Sequence, residues 1–138
     1  MSRYRSQVRE VINRNALVTL ALEHGFNAFL PVYDGGVDFI LYREEDGVVR
    51  KVQLKGRWYI DRKYEGRDIW IAFHVDHAWY LAPHDELVAI GERFGFTSTT
   101  SWLDGGAYSC PKPSRAMTAE LAPFRFDQAA LAEGSIAA

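Results

Sequence analysis

The chain has 138 residues, 48% of them hydrophobic, with 16 basic and 18 acidic side chains and a net charge of −2. That length suits one domain with a real core, the charge balance excludes a general polycation for nucleic acid, and no apolar run is long enough for a membrane span. The N-terminus carries arginines but no apolar signal core, and Cys110 is the only cysteine, so no internal disulfide can form and a cytoplasmic protein is the default expectation.

Taken in order, the chain opens on a helix that Ser2 can cap and that runs to about His24, with Gly25 as its stop. Val8, Val11, Ile12, Leu17, Leu20 and Leu22 supply its broad apolar side. Phe26–Val32 reads as a short strand, and the Tyr33–Gly36 turn leads into a second strand, Val37–Tyr42. The turn Glu45-Asp46-Gly47 joins it to a third, Val48–Trp58. Asp61–Arg67 is polar and reads as a loop or hairpin tip. Asp68–Val75 and Ala78–Ala82 form the next strands around a tight Asp76-His77 turn, and both faces of the first are apolar, as in a central strand. A helix over His84–Phe94 stops at Gly95. Thr97–Pro113 reads as irregular, Ser114–Leu121 as a short helix, and the remainder as a frayed tail.

The order α-β-β-β-β-β-α plus a tail predicts an α/β domain: a mixed central β-sheet flanked by helices. Residues 1–95 make its core, and residues 96–138 an irregular and helical extension packed on the same domain.

The second and third strands carry the densest chemistry. Asp38 stands on one, and Gln53 and Lys55 stand at i and i+2 on its hairpin partner. Side chains alternate along a strand, so Lys51, Gln53, Lys55 and Arg57 share one face and Val52, Leu54 and Trp58 the other. Gln53 and Lys55 are then about 7 Å apart along the strand. A carboxylate, an amide oxygen and water suit a hard cation. A lysine beside them can hold water or neutralise charge on a phosphate.

This acid–Gln-x-Lys layout resembles the PD-(D/E)XK nuclease superfamily, in the branch with Gln at the second acid position, as in group I intron-encoded endonucleases. The resemblance covers roughly residues 5–95 and implies a restriction-endonuclease-like fold. It also implies Mg²⁺ (or Mn²⁺) held by Asp38 and Gln53, and phosphodiester hydrolysis with Lys55 assisting. DNA is the implied partner, and a homodimer or higher homo-oligomer the implied assembly. The family places a glutamate on its first helix. Here that position falls near Arg14, and Glu10, one turn earlier on the same face, is the substitute.

Residues 50–67 hold seven cations against Asp61 and Glu65, a local +5, and the first fourteen residues carry a local +3. Arg57, Arg62, Lys63 and Arg67, with Tyr59 among them, are the candidate nucleic-acid contacts. Asp34 before Gly35-Gly36 reads as a turn-former. His74 and His77 lack a third zinc ligand at suitable spacing, and His84 with Asp85 belongs to a helix start. Cys110 has no base beside it in sequence, and no serine sits in a nucleophile elbow.

Three functions fit this sequence. The first is a metal-dependent DNA endonuclease. The second is a catalytically lapsed DNA-binding module of the same fold. The third is a small α/β interaction protein unrelated to nucleic acid. Convergence of Asp38, Gln53 and Lys55 in one cleft argues against the third.

Overall fold

A computed structural model of the chain describes residues 3–127; Ser2 and the tail beyond 127 lie outside the described residues. The elements are α1 (Arg3–Glu23), β1 (Asn27–Phe29), β2 (Phe39–Arg43), β3 (Val48–Leu54), β4 (Trp58–Asp61), β5 (Ile69–Val75), β6 (Ala78–Pro83), α2 (His84–Arg93), α3 (Thr100–Leu103), β7 (Ala107–Cys110) and α4 (Arg115–Leu121). Five strands form one mixed sheet in the order β1-β2-β3-β5-β6, with helices packed on it. The β3–β5 pair is parallel and the others antiparallel. The expected α/β architecture is present.

The sheet has an apolar layer on each face. Leu17, Leu20 and Ala21 of α1 pack with Phe39, Leu41, Val52 and Ala72. Ile69, Ile71 and Phe73 pack on the other side with Leu87 and Ile90 of α2. Alternation along β5 divides its side chains between these layers, which is why the strand is apolar throughout. The β5–β6 hairpin turns at Asp76 and His77, both at positive φ (48° and 67°), as a two-residue type I′ turn demands.

Five expectations need correction. The strand expected over Val48–Trp58 is two strands. β3 ends at Leu54, a bend passes through Gly56 and Arg57, and Trp58 opens β4 in a separate two-stranded sheet with β7. Arg57 therefore does not share a strand face with Gln53. The expected first strand shrinks to Asn27–Phe29 at the sheet edge, with Val32 fully exposed. On α1, Val8, Val11, Ile12 and Leu22 are exposed, and the buried residues are Leu17, Leu20 and Ala21. The stretch 97–113 is ordered into α3 and β7. Residues 122–127 are also tied down, since Phe126 N–H donates to Trp79 O at 2.8 Å.

The polar segment after β4 is a single 3₁₀ turn, Arg62–Tyr64. Asp61 caps it by accepting from Lys63 N–H at 3.0 Å. Tyr64 is buried, and its ring meets the buried His84 edge-on. His84 Nε2 accepts from Asp61 N–H at 3.0 Å, and its Nδ1 faces Asp85 Oδ1 at 3.1 Å. A neutral ring protonated at Nδ1 satisfies both contacts, so His84 joins the start of α2 to the end of β4.

β4, α2 and the extension share one core: Trp58 and Ile60 pack with Leu87, Ile90, Trp102, Met117 and Leu121. Gly91 makes this possible. A Cβ there would lie 3.0 Å from the Trp58 ring and 3.3 Å from Ile60 Cδ1. We expect Gly91→Val to destabilise the fold by about 1–3 kcal/mol through overpacking, measured as a lower chemical-denaturation midpoint. An unchanged midpoint would mean that α2 does not sit this close to β4.

Candidate functional site

Where β3 leaves the sheet, the chain forms a cleft of about 690 Å³. Its lining comes from α1 (Ser6, Arg9, Glu10, Val11, Asn13, Arg14), the segment after β1 (Leu30, Pro31, Asp34), Asp38, and residues 53–56 at the end of β3. All four residues expected at a catalytic centre, Glu10, Asp38, Gln53 and Lys55, line this one cleft. Arg14 lines it as well.

Backbone pairing sets their arrangement. Asp38 stands one residue before β2 and is already tied to β3, its N–H donating to Val52 O at 2.8 Å. Its Oδ2 accepts from Leu54 N–H at 2.7 Å. Gln53 lies between those two β3 residues and pairs in register with Ile71 of β5. Lys55 N–H donates to Ala72 O at 2.8 Å, the last rung before the chain turns away.

The electrostatics follow from partial burial. Burial is the main reason the Asp38 carboxyl is raised from its ordinary value; Asp34 and Glu10 push the same way, against the Leu54 hydrogen bond and Lys55. Burial likewise lowers Lys55 most, with Lys63 adding to it and Asp38 and Asp61 opposing. The Lys55 ammonium sits 4.5 Å from the centre of the Tyr59 ring. Gln53 Oε1 is buried and has no hydrogen-bond partner among the described residues. Such an atom costs free energy unless something arrives to meet it.

This donor set fits a hard divalent cation. Gln53, whose amide oxygen is unmet, lines the same cleft as Asp38, whose Oδ1 is clear of the Leu54 bond. Among the described residues no three His, Cys, Asp or Glu side chains group as a metal site. A cation held here would therefore complete its shell with water and substrate oxygens, as Mg²⁺ commonly does. His74 packs on Trp79 rather than with His77 as a ligand pair.

The remaining candidates have varied employment. Arg67 donates to Gly35 O at 2.9 Å and to Lys63 O at 3.4 Å, bracing the glycine turn. The Arg62 guanidinium lies over Trp102 at 5.4 Å. Lys63 pairs with Asp61 at 3.7 Å while remaining mostly exposed. Among the described residues Arg57 is exposed and makes no hydrogen bond or ion pair. Tyr59 donates its hydroxyl to Asp61 Oδ2 at 2.7 Å. Asp34 closes its own turn by accepting from Gly36 and Val37 N–H, at 3.0 and 3.1 Å, and still lines the cleft.

The cleft includes residues that reading from the sequence did not assign to it: Ser6, Arg9 and Asn13. Their signal was the polar spacing Ser6, Arg9/Glu10, Asn13/Arg14, which is one helix face. The exposed apolar residues of the same helix obscured it.

No family model matches the sequence, and no curated protein matches it. Among solved structures, one similar to this chain is that of a bacterial homing endonuclease. The identity is 20%, the match covers 75% of this chain and 73% of that one, and the TM-score is 0.46. At that level the likeness decides nothing about this chain. Among the described residues, no helix is long and apolar enough to cross a membrane.

The shifted groups predict an unusual stability pattern. With the Asp38 pKa raised in the fold, the native state holds more protons than the unfolded chain between pH 3.8 and the raised value. Stability therefore falls as pH rises through that window. Asp38→Asn removes this loss, so its melting temperature should equal or exceed the wild type at pH 7, with the gain vanishing below pH 3.8. Lys55→Met should behave alike at pH 7, because a lowered lysine is penalised while charged and relieved only as pH approaches 10.5. Thermal melts across pH test both. Marked destabilisation at pH 7 would mean that these side chains serve the fold.

Proposed function

We propose that the protein is a metal-dependent DNA endonuclease with a restriction-endonuclease-like core. The observation that carries the reading is that Gln53, with its amide oxygen buried and unmet, lines one cleft with Asp38 and Lys55. Asp38 and Gln53 are the proposed holders of Mg²⁺ or Mn²⁺, which supplies charge neutralisation at the phosphate and acidifies water when bound. Lys55 offers a cation to a non-bridging phosphate oxygen. Glu10, on the facing helix, is placed to orient water or accept its proton. Arg57 and Lys63 are the proposed backbone contacts, being the exposed cations beside the cleft strand. Cutting both strands of a duplex requires two such sites, which favours a homodimer or larger assembly.

A second reading is a lapsed nuclease that binds DNA without cutting it. It is favoured by Arg14 lining the cleft where an acid is expected, and by the lack of a three-acid group among the described residues. An interaction protein with a solvated polar face is disfavoured, because Asp38 and Lys55 are half-buried and Gln53 Oε1 is not solvated.

Supercoiled plasmid and branched DNA incubated with Mg²⁺ or Mn²⁺ separate these readings. Cleavage that needs the metal and falls by about 10²-fold or more in Asp38→Asn and Lys55→Met is the expected result. DNA binding without cleavage, weakened by Arg57→Ala and steep in salt, would establish the lapsed reading. Neither binding nor cleavage would defeat both.

A further inference from the structure

We propose that Tyr59 is a positioning residue for Lys55: its ring, placed by β4, carries the Lys55 ammonium and holds it in the cleft. The functional part of this inference rests on the nuclease reading above. Lys55 is the first residue past β3, and among the described residues its head group is joined to no carboxylate by an ion pair. A lysine so placed has a flexible stem and would spread over many rotamers. The contact that locates the ammonium is the Tyr59 ring, 4.5 Å from its nitrogen, well inside cation–π range.

Tyr59 itself is firmly placed. It stands in β4 opposite Ser109 of β7. Its hydroxyl reaches Asp61, two residues on along the same strand face, at 2.7 Å. Asp61 is held by its cap on Lys63 N–H and by the bond from its own N–H to the buried His84. Burial first and Asp61 second push the tyrosine hydroxyl well above its ordinary pKa, so it remains a donor throughout the physiological range. With one face given to Lys55, the ring's part in the site proposed here runs through Lys55.

The test is an NMR measurement of lysine side chains, with Lys55 assigned by its loss in Lys55→Met. The ε-methylene of Lys55 should carry an upfield ring-current shift in the wild type, keep it in Tyr59→Phe and lose it in Tyr59→Leu. In the plasmid assay Tyr59→Leu should lower kcat by about tenfold, the scale of a desolvated cation–π contact, with KM unchanged and Tyr59→Phe largely restored. A wild-type Lys55 without the ring-current shift overturns the inference, and that spectrum needs no substitution to fold. Unchanged kcat in a folded Tyr59→Leu protein overturns it too, while leaving the nuclease reading standing. A ring-shifted Lys55 in a wild type that cuts nothing defeats the nuclease reading and leaves the positioning supported.

Discussion

The carboxylate of Asp38 bonded to the Leu54 N–H holds the cleft in shape. β2 begins only at Phe39, so at this end of β3 the antiparallel ladder has run out of backbone carbonyls. A buried N–H left unmet there would be costly. Asp38 supplies the acceptor from its side chain while its own N–H bonds Val52 O. One carboxylate oxygen is thereby spent on the fold and the other left to the cleft. On the opposite edge, Ala72 O receives Lys55 N–H. Three hydrogen bonds to the sheet thus fix Asp38, Gln53 and Lys55 relative to each other, without any contact among their functional atoms. That is the rigid support a binding constellation needs.

The charges in the cleft are kept at a cost. Asp38 and Lys55 attract one another, yet burial outweighs that attraction for both, raising the acid and lowering the base. A fold selected for stability alone would close such a pair into a salt bridge or replace it with apolar groups. Here the ammonium rests on a ring and the carboxylate on a backbone N–H, so each retains unused capacity toward a third party. Gln53 adds an unmet oxygen. Perturbed, underused groups converging in a concavity mark a functional site more readily than a structural one.

Much of this was legible in the sequence because it depends on period-two alternation in short hairpins. Spacing puts Asp38, Gln53 and Lys55 near one patch, and the nuclease resemblance is what singles them out; the apolar sides of the Asp68–Val75 segment mark β5 as central. The second sheet was not legible. Val52, Leu54 and Trp58 continue one alternation across Gly56, so nothing in the pattern shows that Trp58 has changed sheets. Its partner β7 is four residues, AYSC, set among Gly, Ser and Pro that read as loop. Only tertiary pairing with β4 makes it a strand. On α1, exposed Val8, Val11 and Ile12 counterfeited a buried stripe, and the side of the helix that faces the cleft is the polar one.

The basic stretch shows why charge counted along a chain overstates charge available to a ligand. Of the cations between 50 and 67, Lys51 gives its ammonium to Arg67 O at 2.6 Å, and Arg67 gives its guanidinium to Gly35 O. Arg50 lies over the Trp70 ring at 3.9 Å and Arg62 over Trp102. These side chains bind loops to strands and cover aromatic surface, a use to which long basic residues are well suited. They remain positive and still bias the local field, but Lys51 and Arg67 have given donors to backbone carbonyls, and Arg50 and Arg62 lie against rings. Besides Lys55 in the cleft, the cations without such a role are Arg57 and the mostly exposed Lys63 on one side, and Arg9 and Arg14 line the α1 wall. The second sheet is what sorts the cations in this way. It draws Arg62 onto Trp102, seats Lys55 on Tyr59, and turns Arg57 outward at the bend between the sheets.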